Sequence, residues 1–170
     1  MRDPLPPARD RAALSLVVGV GNAWRGDDAA GPAVADRLRA LAPGIAVATL
    51  DGDASALLEL WSGHEDVVLV DAASSGARPG TLHELSAHDP ALPAAALRSS
   101  THAFGVAEAV GLAAALGRLP ARLEILAVEG ADFSLGAPLS PAVSRTVDAL
   151  AERLAGSRRG ARGPGAARSG

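Results

Sequence analysis

Two carboxylates and one imidazole stand where strand signals change to helix signals. Asp28 lies in the turn after the first apolar segment, Asp71 directly follows a strongly apolar segment, and His102 precedes an alanine-rich helical segment. In parallel α/β sheets, sites form at the carboxyl ends of the strands, so we expect all three on one rim. Two carboxylates and an imidazole suit a borderline divalent metal. The pattern therefore predicts a metal site formed by Asp28, Asp71 and His102.

Each of these residues also has an ordinary structural explanation. Asp27 and Asp28 at a helix N-terminus interact favourably with the helix dipole, and local spacing alone supports capping and function equally. Asp71 also fits a turn or N-cap position, and a single histidine such as His102 is more often structural than a ligand. The spacing of these residues therefore leaves both interpretations open.

The glycine-rich turn after the first apolar segment does not fit nucleotide binding. It reads Gly19-Val20-Gly21-Asn22-Ala23-Trp24-Arg25-Gly26-Asp27-Asp28. A dinucleotide fingerprint requires a third glycine where Trp24 stands, and a phosphate loop requires Lys and Ser or Thr after Gly26. Asp27 and Asp28 stand there instead, and two carboxylates repel phosphate and attract a cation.

The sequence lacks the motifs of the common hydrolases. It has no cysteine, which excludes a cysteine nucleophile and thiolate zinc sites, and it has no Gly-x-Ser-x-Gly motif. His83-Glu84 and His88 resemble a zinc-protease motif, but the two histidines are one residue too far apart to share a helical face. Asp51 and Asp53 follow the second apolar segment, where a turn role is favoured and a place at the rim remains open.

Strand and helix signals alternate along the chain. The predicted strands are Leu14–Val20, Ile45–Leu50, Val67–Val70, Thr81–Leu85 and Leu123–Val128. The predicted helices cover residues 31–41, Ser55–Ser62, Ala103–Leu116 and a last segment that begins at Ser140-Pro141. This alternation predicts an α/β fold, with a mostly parallel sheet of about five strands and helices on both faces.

Length and composition predict one domain over residues 14–155, with a flexible segment 1–13 and a disordered Arg/Gly-rich tail 156–170. The formal charge is −3 and the tail carries four arginines, so residues 1–155 carry −7. An acidic body argues against a nucleic-acid partner. No run of about 18 apolar residues predicts a membrane span, and the absence of cysteine fits a reducing cytoplasm.

Five blocks in this order resemble the hydrogenase maturation protease family, over about Leu14 to Leu154. The blocks are Val18-Gly19-Val20-Gly21-Asn22 with Asp27-Asp28 and Gly31, Asp51-Gly52, Val70-Asp71-Ala72 with Pro79-Gly80-Thr81, Ser100-Thr101-His102 with Gly105, and Leu139-Ser140-Pro141 with Val143. Each block alone is weak, but five in order at sensible spacing are fairly specific.

The resemblance implies a three-layer α/β/α sandwich and an endopeptidase of aspartic-type character. Such an enzyme removes the C-terminal extension of the large-subunit precursor of a nickel–iron hydrogenase. The family pattern makes Asp28, Asp71 and His102 nickel ligands, with the nickel supplied by the substrate. It also implies a role in cleavage for Asp51, and either Asp51 or Asp27 is a candidate catalytic base.

Two departures from the family pattern are visible. Asp53 replaces the second of two glycines that usually follow the Asp51 position, and Ala29-Ala30 replaces a glycine-rich or mixed pair. The first departure adds an acid near the rim and bears on substrate choice, whereas Gly31 is retained. A non-cleaving chaperone that checks nickel in the large subunit is the alternative function. A nucleotide-binding domain is disfavoured by the failed glycine patterns.

Overall fold

Five strands form one sheet, and the computed structural model describes them within residues 14–89 and 103–157. The strands are β1 (Leu16–Val20), β2 (Ala46–Leu50), β3 (Asp66–Ala73), β4 (Leu82–Ser86) and β5 (Arg122–Glu129). The helices are α1 (Ala30–Leu41), α2 (Ala54–Leu60), α3 (Ala103–Ala115) and α4 (Pro141–Gly156), with a short 3-10 helix at Gly26–Ala29 before α1.

The strand order is β2-β1-β3-β5-β4, and only the edge pair β4–β5 is antiparallel. β1 and β3 are buried along their whole length, as continuous apolar strands in the middle of a parallel sheet should be. The predicted α/β sandwich with a mostly parallel, five-stranded sheet is therefore confirmed.

The two faces of the sheet carry separate cores. On one face, Val34 of α1 and Val147 of α4 pack in a cluster with Val68 and Val70 of β3. On the other face, Leu57 of α2 packs in a cluster with strand residues such as Val67 and Leu69 and with apolar residues of α3. Alternate residues of β3 thus serve opposite faces, because side chains alternate along a strand.

Local sequence signals explain three of the helix ends. Pro141 begins α4 at the position where its missing N–H removes no helical hydrogen bond. α1 ends at Leu41, two residues before Pro43. The N-cap of α2 is Asp53, whose carboxylate accepts a hydrogen bond from the Ala56 N–H at 2.8 Å. Asp53, which departs from the family pattern, therefore has a defined structural role.

β3 is longer than the predicted segment Val67–Val70. It continues through Ala73, because β5 pairs with it residue by residue, up to Ala73 opposite Glu129. Asp71 therefore lies inside the strand and does not follow it. A four-residue apolar run could not show this, since the partner that extends the strand lies about fifty residues further along the chain.

Parts of the predicted domain boundaries lie outside the described residues. The segment 1–13 does so completely, as do residues 158–170 of the predicted tail. Gly156, the first residue of that tail, belongs to α4. Among the helices within 14–89 and 103–157, none is long and apolar enough to cross a membrane.

Candidate functional site

Asp28 lies at the carboxyl end of β1, in the 3-10 helix that precedes α1. Its carboxylate accepts a hydrogen bond from the Asn22 N–H at 3.2 Å, and its side chain is almost fully buried. Gly21 makes this close approach possible. It adopts a φ of 142°, and a Cβ there would lie 2.0 Å from the Asp28 carbonyl oxygen. Only glycine fits such a position.

The start of α1 also packs closely against the sheet. A Cβ on Gly31 would lie 2.3 Å from the Val20 carbonyl oxygen and 2.4 Å from that of Val70. Gly31 therefore allows the helix backbone to contact β1 and β3 directly. The glycine kept from the family pattern thus places Asp28 next to the ends of both strands.

Asp71 lies on β3, the neighbour of β1, and is fully buried. Pairing between β1 and β3 ends at Gly19 opposite Val70, so Asp71 is one residue beyond it. Its Oδ1 accepts the Ala72 N–H at 2.8 Å, and its position in the alternation turns it to the face of α2 and α3. Asp28 and Asp71 therefore reach the same edge of the sheet from neighbouring strands.

His102, the third predicted ligand, lies outside the described residues. The described chain resumes at Ala103, the first residue of α3. A Cβ on Gly105 would lie 1.6 Å from the Gly52 carbonyl oxygen, so the first turn of α3 packs against the loop that follows β2. The chain immediately after His102 therefore runs along the edge that carries Asp28 and Asp71. Convergence of all three side chains stays a prediction.

The donors at this edge suit a cation. Two buried carboxylates, Asp71 on β3 and Asp28 in the 3-10 helix after β1, offer the oxygen ligands that divalent metals accept. Among residues 14–89 and 103–157 no group of three His, Cys, Asp or Glu side chains is arranged to hold a metal ion. Only two of the three predicted ligands lie in those ranges.

Asp27, a candidate base, holds two loops together. Its carboxylate is fully buried and accepts N–H groups from Ala131 at 2.7 Å, Asp132 at 3.1 Å and Ser140 at 2.7 Å. Its own N–H donates to the Asp132 carbonyl oxygen at 2.7 Å. This arrangement ties the turn after β1 to the segment between β5 and α4.

Asp51 has a different environment from Asp27. It directly follows β2, is exposed to solvent, and lines a cleft of about 400 Å³ with Gly21, Asn22, Trp24, Pro32, Thr49 and Leu50. The ends of β1 and β2 are joined there by a hydrogen bond from the Gly21 N–H to the Leu50 carbonyl oxygen at 2.9 Å. Of the two candidate bases, Asp51 is the one that a substrate in this cleft can reach.

A further buried acid, Glu129, was not identified as a site residue from the sequence. Its carboxylate accepts hydrogen bonds from the N–H and hydroxyl of Ser75 and the N–H of Gly76, and it lies 3.0 Å from His83 Nε2. Burial opposes ionisation, but the hydrogen bonds from Ser75, His83 and Gly76 hold the pKa of Glu129 below its ordinary value. The only local signal was an acid at the end of an apolar strand.

The two histidines of the rejected zinc-protease motif have separate environments. His83 on β4 pairs with Glu129, whereas His88 Nε2 lies 2.8 Å from the Pro120 carbonyl oxygen. β4 is a strand, so the helical geometry that such a motif needs is absent there.

Comparison with known proteins decides the family. The sequence model described as hydrogenase maturation protease matches residues 34–157, nearly three quarters of the chain. The chain belongs to the hydrogenase maturation protease family. The matched region includes Asp51, Asp71 and His102, while the blocks around Asp28 precede it.

Similar individual proteins agree with the assignment to this family. The hydrogenase expression/formation protein HupD of Rhodobacter capsulatus is 29% identical over 146 residues, which cover 82% of this chain and 69% of HupD. The nickel–iron hydrogenase maturation protease HybD from Thermococcus kodakarensis is 28% identical, with a TM-score of 0.69, over 84% of this chain and 99% of that one. The maturating endopeptidase HybD from E. coli is 27% identical, also with a TM-score of 0.69, over 86% and 93% of the two chains.

Proposed function

We propose that this family member is an endopeptidase that removes the C-terminal extension of a nickel-loaded hydrogenase large-subunit precursor. The observation that carries the proposal is the pair of buried carboxylates at the edge where α/β sites form: Asp71 on β3, and Asp28 in the 3-10 helix that follows the neighbouring strand β1. Two carboxylates that are shielded from bulk solvent are well suited to bind a cation that a substrate carries.

In this proposal the nickel belongs to the substrate. Asp28, Asp71 and His102 supply two carboxylate oxygens and one imidazole nitrogen, a set without thiolate and of modest expected affinity for nickel. The precursor supplies the remaining ligands, so binding is strong only when nickel and precursor are both present. Insertion of nickel thereby becomes a checkpoint before cleavage.

Cleavage itself is hydrolysis of one amide bond. Water attacks the carbonyl carbon and Asp51 accepts a proton from the water. The carbon–nitrogen bond then breaks as Asp51 returns that proton to the leaving amine, which regenerates the Asp51 carboxylate. Asp51 is proposed as the base because it is exposed in a cleft at the edge of the sheet, whereas the Asp27 carboxylate is buried against three backbone N–H groups. Asp51→Asn should lower kcat by about 10²- to 10⁴-fold.

A processing assay with purified precursor, with and without nickel, tests the proposal. We expect a shorter product from the loaded precursor, little from the nickel-free one and none from generic peptides. A stable complex with the loaded precursor but no cleavage would favour the nickel-checking chaperone. Equal cleavage of both precursor forms would contradict the proposed nickel checkpoint but would still support the endopeptidase activity. We place this activity in the cytoplasm, without a nucleic-acid or membrane partner.

A further inference from the structure

Two large apolar side chains are exposed near the candidate site, on two loops that are hydrogen-bonded to each other. Trp24 is 76% exposed and Leu135 is 79% exposed, more than any other large hydrophobic residue among those described. They lie on different loops, the turn after β1 and the segment between β5 and α4. The Gly136 N–H donates a hydrogen bond to the Trp24 carbonyl oxygen at 2.7 Å, so the two loops touch at these residues.

Backbone hydrogen bonds, not the apolar side chains, hold this surface in place. The Gly26 N–H donates to the Ala137 carbonyl oxygen at 3.1 Å, and the Trp24 N–H donates to Asn22 Oδ1 at 2.9 Å. The buried Asp27 carboxylate adds its three bonds across the same two loops. The backbone that carries the indole is thus held in place before any partner binds, which reduces the backbone entropy lost on binding.

The surface is continuous with the candidate site. Trp24 lines the same cleft as Asp51. Asn22, two residues before Trp24, donates its N–H to the Asp28 carboxylate. A peptide bound in this cleft beside Asp51 is therefore within reach of Trp24.

We propose that Trp24 and Leu135 form a docking platform for apolar side chains of the precursor's C-terminal extension, beside the scissile bond. This proposal rests on the proposed function and names the part of the substrate that this surface binds. The cleft of about 400 Å³ is sized for a few side chains of an extended segment. Burial of one indole and one leucine strengthens binding in the ground state and the transition state equally.

Other occupants fit the platform less well. A stable dimer buries more than about 1,000 Å² in total, whereas one aromatic side chain buries about 150–250 Å². An anionic membrane surface attracts clusters of Lys and Arg. In the two loops of the platform and the turn after β2, the exposed charged residues are Arg25, Asp51, Asp53 and Asp132, which do not form a basic cluster.

The test is steady-state processing of the nickel-loaded precursor by Trp24→Ala and Leu135→Ala. Each variant should raise KM about tenfold and leave kcat within about twofold, the signature of lost uniform binding. Leu116→Ala is the matched control, because Leu116 is 55% exposed at the end of α3 and away from the platform. It should leave both constants unchanged. Replacing the apolar residues of the extension with serine should raise KM equally and remove the effect of Trp24→Ala.

The outcomes separate this proposal from the proposed function. If wild-type protein cleaves the precursor and Trp24→Ala keeps the wild-type KM, the platform proposal is wrong and the endopeptidase stands. If wild-type protein does not cleave, the proposed function fails. In that case, the Kd of the uncut precursor tests the platform proposal. The proposal requires the precursor to bind Trp24→Ala about tenfold more weakly than it binds wild-type protein. Dimerisation of wild-type protein that is lost in Trp24→Ala, with KM unchanged, would assign the surface to a second copy and overturn the proposal.

Discussion

Replacement of Asp27 by asparagine tests whether the Asp27 carboxylate has a structural or a catalytic role. The carboxylate accepts three backbone N–H groups, two on Oδ2 and one on Oδ1, and is fully buried. An asparagine side chain keeps one oxygen, and its NH₂ group then faces at least one of these N–H donors. The remaining hydrogen bonds also lose the negative charge that strengthens them.

The expected loss follows from these contacts. A hydrogen bond to a charged group contributes about 1.5–3 kcal/mol, and an unsatisfied buried donor costs about 1–3 kcal/mol. The donating amides are only partly buried, so water can satisfy some of them. We therefore expect Asp27→Asn to lower the free energy of unfolding by about 3 kcal/mol, a large part of the roughly 5–15 kcal/mol of a typical domain.

Urea unfolding followed by circular dichroism measures this loss, with processing kinetics of the same variant. Glu152→Gln is the control, because Glu152 is exposed on α4 and its change should stay within about 0.5 kcal/mol. Asp27→Asn should also raise KM, since the platform of Trp24 and Leu135 rests on these bonds. A variant of wild-type stability with kcat reduced a hundredfold would refute this reasoning and make Asp27 the base.

Three further predictions concern the edge of the sheet and its support. Asp28→Asn and Asp71→Asn should abolish processing while the protein stays folded, as activity and circular dichroism will show, because the substitution keeps volume but removes the metal-binding charge. Glu129→Gln should lower stability at neutral pH. The pKa of Glu129 in the folded protein lies below its ordinary value of 4.5. The difference in free energy of unfolding between wild type and variant should therefore narrow as pH falls below about 4.5, as unfolding curves at several pH values will show. Gly31→Ala should destabilise by about 3 kcal/mol or more, whereas Gly111→Ala, with open space around it, should be neutral or stabilising in thermal unfolding.

Outcomes that contradict these predictions are equally definite. Full activity of Asp71→Asn would remove Asp71 from the site. A stability difference for Glu129→Gln that persists unchanged at about pH 3 would show that its charge is not the source. Normal stability of Gly31→Ala would mean that α1 can move away from β1 and β3.

The fold class was predictable from the sequence, and so was the edge of the sheet at which Asp28 and Asp71 lie. Apolar β-branched runs alternate with helical stripes, and such patterns report burial locally, within a few residues. Acids at strand ends and glycines between them are equally local, so the sequence alone was enough to propose Asp28 and Asp71 as candidates. For Asp51 the local pattern favoured a turn, and only the family resemblance implied a role in cleavage. The missing cysteine and the failed phosphate-loop pattern excluded whole classes of chemistry in the same way.

The tertiary structure decided what each acid contacts. The three amide partners of Asp27 lie 104 to 113 residues further along the chain, and those of Glu129 lie about fifty residues before it. Trp24 and Leu135 form one surface only because two distant loops are bonded together. Local sequence carries no signal for such pairs, since it encodes periodicity and capping over a few residues, whereas long-range contacts depend on how the whole sheet assembles.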